Sequence, residues 1–61
     1  MQYRAEFLDV EGRIVCMTYG EAPSIADAHS RERANCQRHQ AVTLRIHDPA
    51  TDEVLARDPA A

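Results

Sequence analysis

Lysine and tryptophan are missing from this sequence altogether, glycine occurs twice and phenylalanine once. No apolar run approaches the roughly 18 residues that a membrane-crossing helix requires. Each absence excludes something. All seven basic residues are arginines set against ten acids, and the net charge of −3 with a pI near 5.4 argues against a general duplex binder. Affinity for nucleic acid rests largely on neutralising phosphates with basic side chains. No charged-then-apolar leader with a small-residue cleavage site opens the chain, so a cytosolic compartment is expected. In that reducing setting Cys16 and Cys36 are expected as buried free thiols rather than as a bridge.

What is present describes a small folded domain. The 61 residues are 44% hydrophobic and 28% charged, with a mean hydropathy of −0.50. A chain of this length buries only about 60% of its unfolded surface, so its core is modest. We expect one domain over residues 1–61, with 58–61 as a frayed tail and no repeats or linkers. Charge is unevenly spread: residues 1–23 carry a net −2, residues 41–61 also −2, and the middle, 24–40, +1. Acidic hairpins around a mildly basic helix suit a charged partner.

"MQYRAEFLD" alternates, with Tyr3, Ala5 and Phe7 on one side and Gln2, Arg4 and Glu6 on the other, the period of a half-buried strand. "DVEGR" turns, Gly12 supplying the positive φ of a tight hairpin. "RIVCMTY" returns antiparallel, and because both of its faces are fairly apolar it is expected in the centre of the sheet. Gly20 and Pro23 break it. Ser24 is placed to cap a helix, with Asp27 three residues on, and the helix is expected to run to about Gln40 with an outward Asp27–Arg31 pair. "AVTLRIHD" alternates again, Val42, Leu44 and Ile46 pointing inward. "DPATDE" makes a second turn around Pro49, with Asp48 bonding back to the backbone, and "EVLAR" ends the pattern. The order β-β-α-β-β implies an α+β fold, a four-stranded antiparallel sheet with one helix packed on one face. Its expected core is Phe7, Val15, Met17, Ile25, Val42, Leu44 and Ile46.

The helix poses a problem. At 100° per residue its inward stripe holds Ile25, Ala28, His29, Glu32, Cys36 and His39, of which few are apolar. Cys36-x-x-His39 has the spacing of metal ligands on one helical face, with His29, Cys16 and His47 as further candidates. A structural zinc site also needs a second closely spaced pair, which is missing, so the histidines read better as margins of the core beside a buried thiol and no metal is expected. A Cys36 nucleophile assisted by His39 lacks a visible oxyanion loop and a third orienting group. The acid groups Glu6, Asp9, Glu11 and Asp48, Asp52, Glu53 sit at hairpin tips that water solvates. No enzyme activity and no cofactor are expected.

Surfaces remain. Arg31, Arg33 and Arg38 face outward from the helix, and Arg4, Arg13 and Arg45 from the sheet; arginine's planar fork binds carboxylates and phosphates bidentately. A second apolar strand face, Leu8, Ile14, Cys16 and Leu55, calls for a cover and points to a homodimer.

The segment "EAPSIADAHSRERANCQRHQAVTLRIHD", residues 21–48, resembles a strand-helix-strand stretch of small type I-F anti-CRISPR proteins. The likeness rests on the E-A-x-S-aliphatic-x-x-A opening (Glu21, Ala22, Ser24, Ile25, Ala28), the helix-terminal Cys36 and the aliphatic-x-Arg-Ile strand (Leu44, Arg45, Ile46). This chain departs from that family in lacking lysine, in its acidity and in its closing Asp-Pro hairpin. The resemblance implies a phage or mobile-element inhibitor, acting without catalysis in the cytoplasm of a bacterial host. Such a protein would occupy a subunit of a CRISPR surveillance complex and block its access to DNA. Its contacts would be the arginine and acid patches, Arg31, Arg33, Arg38, Arg45, Asp9, Glu11, Asp48 and Asp52, docked on a protein or ribonucleoprotein. Two other readings stand beside it: a small β-sheet nucleic-acid binder using Arg4, Arg13 and Arg45, and a homodimeric interaction domain.

Overall fold

In the computed structural model, which describes residues 1–58, the chain forms β1 (Gln2–Leu8), β2 (Ile14–Glu21), α1 (Ile25–Arg33), β3 (Thr43–His47) and β4 (Val54–Asp58). The four strands make one antiparallel sheet in the order β2-β1-β3-β4, and the helix lies on one face of it. This is the α+β arrangement that the alternation and the caps imply.

The first hairpin is built by Asp9. Its carboxylate accepts the backbone N–H groups of Glu11 and Arg13, each at 2.9 Å, while Gly12 takes a φ of 83° that a side chain would resist. The second hairpin repeats the device: Asp48 accepts the Ala50 N–H at 2.8 Å, and Asp52 adopts a φ of 65°. Ser24 caps α1, accepting the Asp27 N–H at 3.2 Å and donating its hydroxyl to the Asp27 carboxylate.

Large side chains of the two central strands fill the space under the helix. Tyr3, Ala5 and Phe7 from β1 and Leu44 and Ile46 from β3 are buried, and small Ala22 and Ala28 close the layer above them. Registers Tyr3↔Gly20, Ala5↔Thr18 and Phe7↔Cys16 put Cys16, Thr18 and Gly20 on the helix side of β2. The small residues face inward because the two rings of β1 already occupy that volume.

Five expectations are corrected. β2 is an edge strand rather than a central one, and its two-sided apolar character reflects exposed side chains. Val15, Met17, Ile25 and Val42 are accordingly exposed and do not belong to the core. The helix ends at Arg33 instead of near Gln40. Beyond it, bonds of the tighter i to i+3 type (Asn35 to Glu32, Cys36 to Arg33, Gln40 to Gln37) carry the chain to Gln40, whose φ of 58° stops it. Asn, Cys and His in that stretch are weak helix formers. The Asp27–Arg31 pair is not formed, since Arg31 donates to the Glu21 carbonyl at 2.8 Å and Asp27 serves the cap. Asp58, assigned to the tail, is the last residue of β4 and lies 3.0 Å from Arg33; residues 59–61 of the tail lie outside the described residues.

Gly20 leaves room for the Tyr3 ring. A methyl group there would fall 2.6 Å from the Tyr3 hydroxyl oxygen and 2.7 Å from the ring carbon that bears it, against a side chain packed in the core. Gly20→Ala is therefore expected to lower stability by about 1–3 kcal/mol, as overpacking does, in a urea unfolding curve with an unchanged slope.

Candidate functional site

The face of the sheet away from the helix has no second layer among the described residues. Register places Arg4, Glu6 and Leu8 of β1 there beside Tyr19, Met17 and Ile14 of β2, with Thr43, Arg45 and His47 of β3 on the other flank and Arg57 of β4 opposite Arg45. At its centre sits Glu6, a carboxylate only 6% exposed on a face with no covering element.

Its burial is the work of its neighbours. Arg45 donates to Glu6 Oε1 at 2.8 Å, Arg4 lies 3.3 Å from Oε2, and His47 Nε2 stands 2.9 Å from Oε1. The imidazole contact is one of proximity, since the ring N–H is not aimed to form a hydrogen bond. Arg4 also donates to Asp52 in the second turn, and His47 Nδ1 is 3.3 Å from the Asp52 carbonyl. The Arg4 guanidinium holds the Asp52 carboxyl below the usual carboxylate range, and Asp52 in return raises Arg4. Long arginine stems thus roof the carboxylate, and the charges largely cancel within the group.

An apolar flank borders this network. A bulge sets Ile14 and Val15 opposite the single residue Leu8. With Met17 and Tyr19 they form a row along the β2 edge, Tyr19 being 69% and Met17 49% exposed. A matching bulge at β4 leaves Leu55 without an opposite residue and Val54 beside His47.

The contact residues expected from sequence are dispersed. Arg45 and Asp52 join the Glu6 group. Asp9 and Glu11 belong to the first hairpin tip, where Arg13 binds them at 3.2 and 3.1 Å, and Asp48 is engaged in the second turn. Arg31, Arg33 and Arg38 lie on the helix side, away from the open sheet face, with Arg31 held by Glu21 and Arg33 by Asp58. Of the expected dimer residues, Leu8 is buried and Ile14 exposed on the open face. Cys16 faces the helix and Leu55 lies on the opposite edge strand, so the four make no common patch. Arg13 precedes β2 at the turn and does not share the face of Arg4 and Arg45.

On the helix side, the unusual stripe resolves into packing. Glu32 is buried and accepts from the Tyr3 hydroxyl, from Thr18 at 3.4 Å and from Asn35 at 3.2 Å. His39 tilts over Phe7 with ring centroids 4.8 Å apart, its Nε2 3.7 Å from Cys16 Sγ, and His29 stands 3.8 Å from Asp58. Burial, reinforced by Asp58, raises the Cys36 thiol above its ordinary value, which keeps it protonated and a poor nucleophile. Among the described residues no three His, Cys, Asp or Glu side chains gather as metal ligands would, and no helix is long and apolar enough to cross a membrane.

Glu6, expected with Asp9 and Glu11 as a solvated hairpin-tip acid, is instead a buried residue inside β1 and the centre of this face. Its signal was available: a carboxylate on the middle strand with arginine two residues away and Arg45 on an alternating strand of the opposite sense. Comparison with protein-family models, with curated proteins and with solved structures finds no match to this chain.

Two outcomes follow. Glu6→Gln removes the charge that Arg4 and Arg45 share and is expected to cost about 2 kcal/mol in urea unfolding, the worth of a charged hydrogen bond. The second concerns pH. Burial first, and the Glu32 carboxylate next, raise the Tyr3 phenol, so its contribution to stability is complete below pH 10 and is lost as pH climbs through the raised native value. Asp9, lowered chiefly by the Arg13 backbone N–H, acts at the other end: its contribution is complete above the ordinary carboxylate pKa and is lost as pH falls through the depressed native value. Thermal melts across pH should show both limbs, with Tyr3→Phe flattening the alkaline one and Asp9→Asn the acid one.

Proposed function

We propose that this protein is a non-catalytic binding module that docks on another protein through the open face of its sheet. The observation that carries this reading is the pairing of charge and apolar surface there. Arg4 and Arg45 are neutralised by Glu6 and Asp52, while Ile14, Val15, Met17 and Tyr19 stand exposed beside them. Arginines engaged in this way are poorly placed to release counterions from a phosphate backbone. Tyrosine, methionine and arginine flanking an apolar row are the composition of a protein interface.

The partner class comes from the likeness of residues 21–48 to type I-F anti-CRISPR inhibitors: a subunit of a bacterial CRISPR surveillance complex, held stoichiometrically so that DNA access is blocked. Size and surface fit such an inhibitor. The β-sheet nucleic-acid reading is weakened by Arg13, which lies at the hairpin tip between Asp9 and Glu11.

A tagged pull-down from lysate of the bacterium that carries the gene, with and without nuclease, tests the reading. A stoichiometric set of defence-complex subunits that survives nuclease and is lost with Tyr19→Ala is the expected result. An empty retention, or one that nuclease abolishes, overturns it, and the latter outcome supports nucleic-acid binding.

A further inference from the structure

Register sets Arg57 of β4 directly opposite Arg45 of β3, two cations side by side on a sheet face that no described element covers. Directly opposed side chains of an antiparallel pair stand with their Cβ atoms about 4.5–5.5 Å apart, and like charges so placed destabilise the sheet. Acids answer only one of the two. Arg45 donates to Glu6, which Arg4 also engages, and Asp52 is taken up by Arg4. Arg57 is exposed, and among the described residues no carboxylate meets its guanidinium. Its chain neighbour Asp58 belongs to the helix side, where Arg33 lies 3.0 Å away. Glu53 is four residues back, roughly 13 Å along an extended strand. Arg4, Arg45 and Arg57 against Glu6 and Asp52 therefore leave one positive charge unanswered on this face, in a chain whose net charge is −3.

We propose that Arg57, with Arg45 beside it, receives a carboxylate side chain of the protein that docks on the open face, an aspartate or glutamate held between the two guanidinium groups. The inference rests on the docking reading above and names the chemistry of the partner's contact. A carboxylate set across the two forks turns a cross-strand repulsion into a bridged pair, and arginine is shaped for that acceptor. Phosphate groups satisfy the same donors, but a nucleic acid brings a run of negative charge toward a chain that is itself acidic, with Glu21 and Glu53 exposed at the margins of the sheet. A single acid on a protein surface avoids that repulsion. The apolar row on β2 lies three strand spacings away, roughly 14 Å, so the partner spans the width of the sheet with an apolar contact at one side and this ionic one at the other.

The free chain keeps the opposed arginines at a cost to its own stability, so relieving the pair and losing the contact should move in opposite directions. Arg57→Glu, which sets an acid opposite Arg45, is expected to raise the urea midpoint, and Arg57→Gln to raise it less. Binding is read by ¹⁵N NMR titration at low salt with an acetylated tetraglutamate peptide, against a tetraglutamine peptide and inorganic phosphate at matched ionic strength. The tetraglutamate peptide is expected to shift the Arg45 and Arg57 amides saturably, Arg57→Gln to weaken it about fivefold, and Arg57→Glu to abolish it. The glutamine peptide is expected to leave those signals in place and phosphate to bind more weakly. A midpoint lowered by Arg57→Glu overturns the proposal, since an acid then already answers Arg57. So do shifts that avoid Arg45 and Arg57, affinity indifferent to Arg57→Gln, or phosphate binding as tightly as the peptide. The pull-down separates this inference from the reading beneath it: a partner retained by wild type and by Arg57→Glu alike keeps the docking face and removes this contact, whereas an empty retention beside tetraglutamate binding at Arg57 keeps the site and removes the defence-complex partner.

Discussion

A carboxylate buried without a cation sets how the helix sits on the sheet. Glu32 leaves water in the middle of the α1 face, and a charge so placed costs several kcal/mol unless hydrogen bonds replace its hydration. They come from three elements: the Tyr3 hydroxyl on β1, Thr18 on β2 and Asn35 just past the helix. Sliding or rotating the helix by one residue breaks this set, so Glu32 specifies register where an apolar stripe would supply adhesion alone. The adhesion is indeed thin, since Ala28 is the buried apolar residue of the helix itself. Tyr3 is fixed at its other side by Gly20, and the edge strand, the central strand and the helix meet at one phenol.

The open face follows the same logic with the signs completed. Glu6 is as buried as Glu32, but arginine stems do the covering. The result is a sheet face that is charged in its residues and nearly neutral in its sum. Its remaining character is decided by the apolar row along β2.

Elements were legible in the sequence where two independent signals agreed. β1 alternates without ambiguity, Asp9 with Gly12 announces a hairpin, Ser24 with Asp27 announces a helix start, and Leu44 and Ile46 fall inward as their period demands. Where one signal stood alone the reading failed. β2 is apolar on both sides, and two-sided apolarity describes a central strand and an exposed edge equally well, so pattern alone does not separate Val15 and Met17 from the core. Which side faces the helix depends on the volume of Tyr3 and Phe7 across the register, a tertiary quantity. The helix stop at Arg33 has no glycine to mark it, because glutamine supplies the left-handed residue. The Glu6 group escaped for a related reason: Arg4, Glu6, Arg45, His47 and Asp52 are assembled from three segments, and only strand order makes them neighbours.

Strand order also bears on how the chain acquires its shape. Both hairpins are local, five residues lying between Leu8 of β1 and Ile14 of β2 and six between His47 of β3 and Val54 of β4. The remaining pairing, β1 with β3, joins Leu8 to Thr43 across the whole of α1. Folding of this small protein thus reduces to one long loop closure between two preformed halves, and closure entropy rises only with the logarithm of loop length. Residues 34–42 span that closure, and changes to their length are expected to be felt more in the speed at which the joint forms than in its final stability.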